Sequence, residues 1–479
     1  MKSHNAEFSP AEKSLQTLNS AVFERLEKLF RVAYIALLKI QGPFLDYEWM
    51  CCLEGKLGVD LGPTYSNRTS CKEFMVSIAE VERQKIEDEL AQTNYCTIMS
   101  DGSTDVSGVE NEGVYVHFAR QGAYHCYFLG MVETECASAS GIYSAIMESL
   151  HFNKHLTEEI QENIVGFAGD GASVNTGKLN GVIALFQGRI NPSILMIQCM
   201  AHRVELGLKD AMKNVPLFSK VVELLDDIFK FYKSAKQKSE LKSVFETLKL
   251  QFSMPTRVGG TRWVGHMLLA VKNMLKGYRA LVFHLSKVSQ IRSQSAPQSK
   301  AINFIKKLKS KSIIFFAHFL VDVISVLARL SKQLQERKGC VFQVHRQLET
   351  TLINLNKLGE RDGFELRKVA SSDTFEGEGL TGNTSEHDAQ SARVIKGLVS
   401  CLQRRFDDLD KGIFSATKLA DLNSWPTSSE DAKDFGDDCL MKLLDHFHDT
   451  LERKGVDLAA AEEEWTALKQ ALYKRFGRI

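Results

Sequence analysis

From residue 94 to residue 135 the chain reads NYCTIMSDGSTDVSGVENEGVYVHFARQGAYHCYFLGMVETE, and this stretch decides the fold. It holds three β-type runs, NYCTIMS (94–100), GVYVHFAR (113–120) and AYHCYFLGMVETE (123–135), separated by turns containing Gly, Ser and Asn. The step through Gln121-Gly122-Ala123 reads as a hairpin. Downstream the period changes, and a helix is predicted over about 139–152. A fourth apolar run follows, NIVGFAGD (163–170), then a glycine-rich helix start, a fifth run, SILMIQCM (193–200), and a long helical stretch. The order β-β-β-α-β-α-β-α predicts an α/β chain: a meander and then crossovers, in a mixed five-stranded sheet with its parallel strands beside the first.

Outward from this core the pattern is helical. On the N-terminal side, Phe23, Leu26, Leu29, Phe30, Ala33 and Leu37 recur at helical steps. KEFMVSIAEVERQKIEDEL (72–90) predicts a second helical stretch, with Ser70 as its N-cap and Glu73 completing a capping box. On the C-terminal side, residues 201–413 read as almost wholly helical, apart from loops at FSMPTRVGGTRW and SSDTFEGEGLTGNTSEHD. SQIRSQSAPQSK (289–300) is the best linker, and the last sixty residues are helical with acidic runs. The predicted division is an N-terminal helical region 1–92, an α/β core 93–214, a helical region 215–390 and a C-terminal helical segment 391–479.

Composition limits the function classes. Sixty basic against fifty-nine acidic residues leave a formal charge of +1, so a nucleic-acid contact would need a local basic face. KSAKQKSELKS (233–243) and KKLKSKS (306–312) are the visible basic clusters, and a solvated helix face is the commoner explanation of such clusters. Ten cysteines without a Cys-x-x-Cys pair point to reduced, buried thiols, Cys96 and Cys199 among them. The polar N-terminus does not read as a signal peptide, and IIFFAHFLVDVISVLARL (313–330) suits a buried helix better than a membrane span. The expectation is a soluble intracellular protein with no membrane partner.

Three motifs could carry chemistry. Asp101 opens DGSTD after the first strand, and Asp170 opens DGASVNTG after the fourth. If those strands are parallel neighbours, both carboxylates emerge at one sheet edge, where ligands of such sheets bind. A pair of acids there could hold Mg²⁺ or Mn²⁺ for phosphodiester attack, while an Asx-turn explains each acid singly. Cys199 and His202, in QCMAHRVEL, form a Cys-x-x-His pair that is short of a zinc site. Thr261-Arg262-Trp263 lies in a glycine-containing loop, where Arg could clamp phosphate and Trp could stack on a base. A Trp that anchors the loop on the core is the plain alternative.

Taken in order, DGSTD, GDGAS, CMAH-x-x-EL and TRW resemble the hAT superfamily of DNA transposases over roughly residues 35–425. The likeness is greatest to domesticated, zinc finger protein 862-like members. The resemblance implies an RNase H-like mixed five-stranded sheet with a large all-α insertion and N-terminal helices. It implies that Asp101 and Asp170 are the first two catalytic acids and that both hold the metal. Cys199, His202, Arg262 and Trp263 would then serve nucleic-acid binding, with Trp263 beside a flipped base.

The departures matter as much. The family's third acid sits in a C-terminal Glu-Arg-x-Phe-Ser-like stretch that this sequence lacks; Glu452, in DTLERKGVD, is out of frame for it. LYKRFGRI falls where the dimerisation segment would begin, so the resemblance gives no basis for a homodimer without that segment. No zinc-module spacing precedes the core. Glu205 and Glu386 are the only substitutes for the missing acid. The expectation is a catalytically inactive nuclear protein that binds DNA or protein partners through the old scaffold. A residual metal-dependent nuclease and a pure protein-interaction module are the alternatives.

Overall fold

The computed structural model describes residues 10–134, 136–151, 158–260, 263–290, 296–336 and 340–476. Helices α1 (Pro10–Ala33), α2 (Phe44–Lys56) and α3 (Arg68–Leu90) come first and share a small core of Leu29, Ala33, Tyr47 and Phe74. Phe23, expected on the apolar face of α1, is exposed. The N-cap of α3 is Asn67, whose side chain accepts from the Ser70 N–H at 3.0 Å. The helix thus begins one turn before the expected cap at Ser70, because a side-chain oxygen was already available there.

The chain is mixed α/β. A meander of β1 (Cys96–Thr104), β2 (Glu110–Arg120) and β3 (Ala123–Thr134) is followed by α4 (Ala139–His151) and α5 (Glu158–Glu162). Next come β4 (Ile164–Gly169), α6 (Ser173–Thr176), α7 (Val182–Arg189) and β5 (Leu195–Gln198). The five strands lie in the order β3-β2-β1-β4-β5. The meander pairs are antiparallel, and β1–β4 and β4–β5 are parallel, as expected. Gln121 and Gly122 both have positive φ, 50° and 74°, as a primed hairpin turn requires. One sheet face is buried by Ile98, Val116 and Phe167 against Ile146 of α4 and Phe186 of α7.

The helical body begins at α8 (Met200–Met212), α9 (Pro216–Phe231), α10 (Ala235–Thr247), α11 (Trp263–Lys276), α12 (Tyr278–Gln290) and α13 (Ala296–Leu308). It continues through α14 (Lys311–Gln333), α15 (Val341–Glu360) and α16 (Phe364–Arg367). The small ribbon β6 (Thr374–Phe375) and β7 (Glu378–Gly379) precedes α17 (Ser385–Arg405). Among the described residues α14 is the one helix long and apolar enough to cross a membrane, and 78% of its apolar window is buried inside the protein. One apolar core runs from Val204 to Leu409. The expected boundary at 214/215 passes between α8 and α9, yet α8 buries Val204, Leu208 and Met212 in that helical core.

α8 and α17 lie side by side, brought close at Gly207, where a Cβ would stand 3.0 Å from Leu402 Cδ2. Just beyond α17, Asp408 takes two bonds from the buried Arg203 guanidinium, one of them at 2.8 Å. The rest of the chain forms α18 (Gly412–Ala416), α19 (Asp437–His446), α20 (His448–Arg453) and α21 (Ala461–Phe476). It docks on the loop before β5 through Asn191 Nδ2 to Thr450 Oγ1 at 2.9 Å.

Candidate carboxylate site

The sheet splits where the two acids stand. β4 pairs with β1 only as far as Met99↔Ala168, while β1 continues against β2 to Thr104. Asp101, expected at a strand end, therefore lies inside β1 opposite Gly113; the parallel ladder is what ends before it. The approach of β4 to β1 depends on Gly166, where a Cβ would lie 2.8 Å from Thr97 Oγ1.

Asp170 follows β4 and closes an Asx-turn. Its Oδ1 accepts from the Ala172 N–H at 3.0 Å and from Asn175 Nδ2 at 2.8 Å. Across the split, the Asp101 carboxyl is pushed above the usual carboxylate range. Burial of its inner side is the main cause, Asp170 adds repulsion, and His202 opposes both. These directions bring Asp101, Asp170 and His202 into one electrostatic neighbourhood.

His202 is half-buried one turn into α8, near Gly171, where a Cβ would be 3.9 Å from its Cδ2. Cys199 is exposed, contrary to the expected buried thiol. It is the residue before α8, and its N–H donates to the Gly169 carbonyl at 2.8 Å, so it turns the chain at the surface.

A fourth group went unread in the sequence. Glu112, only 5% exposed, lies opposite Gly102, and a Cβ at Gly102 would be 3.0 Å from its Oε2. Burial raises its carboxyl, Ser100 opposes this, and the charges of Asp101 and Asp170 raise it further. The signal was present: Glu112 precedes Val114, Val116 and Phe118 at the inward period of β2, where an acid is out of place.

No family model matches this chain. The function therefore has to be argued from the site itself. Two carboxylates with free oxygens suit an oxygen-preferring divalent ion that keeps its waters and shares substrate phosphates. Among the described residues no three His, Cys, Asp or Glu side chains gather closely enough to hold an ion. The pair thus meets part of what Mg²⁺ or Mn²⁺ requires.

Of the other expected residues, Thr261 and Arg262 lie outside the described residues. Trp263 starts α11 and packs edge-on against Phe218 of α9, with centroids 6.0 Å apart, on the helical core. Glu386 is bonded to Lys220 at 2.6 Å, and Glu205 is half-buried on α8. Neither Glu205 nor Glu386 is among the charges that shift Asp101, which include Asp170 and His202. Glu452 lies on α20, 3.7 Å from His448.

The basic cluster at 306–312 is largely neutralised, Lys309 by Glu378 at 2.9 Å and Lys311 by Asp373 at 2.6 Å. On the sheet face opposite the core, Tyr115 and Phe128 are partly exposed and meet edge-on at 5.3 Å. Exposed Met131 lies two strands from Asp101, across Gly113.

Proposed function

We propose that the chain is a nuclear, nucleic-acid-binding protein derived from a hAT transposase. It uses an RNase H-like scaffold whose Asp101–Asp170 pair is the vestige of a metal-dependent strand-cleavage site. The observation that carries this reading is the placement of two acids on adjacent parallel strands, at the edge where β1 and β4 part. Exposed Tyr115 and Phe128 on the neighbouring strands offer apolar rings on which bases could stack. Arg262 and Trp263 would add phosphate and base contacts, with His202 beside the acids and Cys199 at the same turn. Protein partners would use the helical body.

Two measurements test it. Purified protein should retard labelled DNA at low salt and lose it steeply as salt rises. It should leave plasmid DNA uncut in Mn²⁺; nicking that Asp101→Ala abolishes would overturn the inactive reading.

Glu112 favours a second reading, a metal-dependent nuclease in which a bound ion would have to draw it toward the Asp101–Asp170 pair as the third acid, since the three do not gather closely enough here. Its carboxyl responds to both Asp101 and Asp170. Calorimetric titration with Mn²⁺ separates the readings: a saturable site lost in Glu112→Gln supports the nuclease, and no saturable site removes it.

A further inference from the structure

Away from the carboxylates, the helical body holds a cleft of about 660 Å³ between α11, α14, α15 and α16. Six cations line it: Lys272 from α11, Arg329 and Lys332 from α14, Lys357 from α15, Arg361 from the next loop and Arg367 from α16. Two carboxylates, Asp322 and Asp362, share the lining, so the cleft is formally +4 in a chain of net charge +1. All six cations are exposed, and none of their side chains forms an ion pair among the described residues. This contrasts with the 306–312 cluster, where Lys307, Lys309 and Lys311 are partnered.

The cleft has a fixed wall. Asp322, inside α14, accepts the backbone N–H of Glu365 at 3.0 Å and of Leu366 at 2.9 Å. That clasp needs Gly363, because a Cβ there would stand 2.4 Å from Asp322 Oδ2. The loop with Arg361 and the helix α16 with Arg367 are thereby pinned to α14, and Asp322 is spent on backbone donors rather than on the cations. At the rim, Phe364 is 67% exposed, and Lys368 Nζ lies 4.7 Å from its ring centroid. An exposed ring beside guanidinium and ammonium groups that line one cleft suits phosphates joined to a base.

We propose that this cleft binds the phosphate backbone of single-stranded nucleic acid, with Phe364 stacking on a base. The proposal rests on the nucleic-acid reading above and assigns it a surface distinct from the carboxylate corner. A free nucleoside triphosphate presents the same phosphate chemistry, and the test separates the two.

Fluorescence anisotropy with a labelled oligonucleotide, on the full chain, decides it. Arg329→Ala/Arg361→Ala should weaken binding at least about tenfold and make the logarithmic salt slope shallower by about one per lost phosphate contact. Both residues are exposed, so the thermal unfolding curve should be unchanged. Phe364→Leu should weaken single-stranded DNA more than duplex DNA. Lys236→Ala/Lys238→Ala, on α10, should leave affinity within twofold. Unaltered affinity in Arg329→Ala/Arg361→Ala, with DNA still bound, overturns the cleft alone. Failure of the unaltered chain to bind any nucleic acid overturns the parent reading as well. Binding of a nucleoside triphosphate more tightly than the oligonucleotide overturns the polymer and leaves a nucleotide site.

Discussion

Asp101 is exposed as a residue, yet partial desolvation of its carboxyl and then the nearby Asp170 charge disfavour its ionised form. Such an arrangement works against folding wherever the carboxyl is charged. Asp170→Asn should therefore bring Asp101 back toward the ordinary carboxylate range, which a ¹³C-detected pH titration of the Asp101 carboxyl would follow. Burial, the larger cause, would keep it somewhat raised. Because a raised carboxyl opposes the folded state above its unfolded pKa, Asp101→Asn should hold or raise the melting temperature at neutral pH. A clear fall in melting temperature would show that the carboxylate is bonded rather than repelled. Glu112 shares this predicament, and its place on the inward period of β2 opposite Gly102 reveals it. DGSTD and GDGAS could be read directly in the sequence, whereas Glu112 needed the strand's inward face to be known.

The elements around the site are held by two contacts that contain no chemistry. β4 can close on β1 only because position 166 lacks a Cβ. Gly166→Ala should cost about 1–3 kcal/mol by overpacking and should part the strands, lowering the Asp101 pKa in the same sample. Chemical denaturation combined with that titration checks both effects at once. Arg203 likewise fixes α8 to the turn after α17, its guanidinium over the Phe406 ring at 5.7 Å and its bonds given to Asp408 and to the Arg405 carbonyl at 3.0 Å. Asp408→Ala leaves that buried cation without its anion and should cost about 2 kcal/mol of unfolding free energy. The strands were legible because their β-branched runs are long and bounded by turns. The docking of α8 was not, because its amphipathic pattern states that one face is buried and not against which partner.

Taken whole, the protein buries several imidazoles among apolar helices. His318 of α14 is 3% exposed, both ring nitrogens lack a hydrogen-bond partner among the described residues, and burial pushes its pKa down to about 4. Burial also lowers His284 and His387. The unfolded chain protonates these rings near their ordinary value of about 6.5, where the folded chain does not. Their contribution is therefore complete above that pH and is lost as pH falls through the lowered folded values, about 4 for His318. For His318 the gap between about 4 and 6.5 corresponds to roughly 3 kcal/mol. Urea midpoints measured across this window should fall with acidity, and His318→Leu should flatten the fall. An unchanged slope in the variant would assign the acid sensitivity to other groups.

The bond between Arg203 and Asp408 spans 205 residues of chain. During synthesis the apolar side of α8, with Val204, Leu208 and Met212, leaves the ribosome long before Leu402 and its neighbours exist to cover it. At about 5–20 residues per second that wait lasts roughly ten to forty seconds. The nascent chain is thus exposed to self-association for that interval, and its yield should depend on chaperones that shield a single amphipathic helix until the returning one arrives.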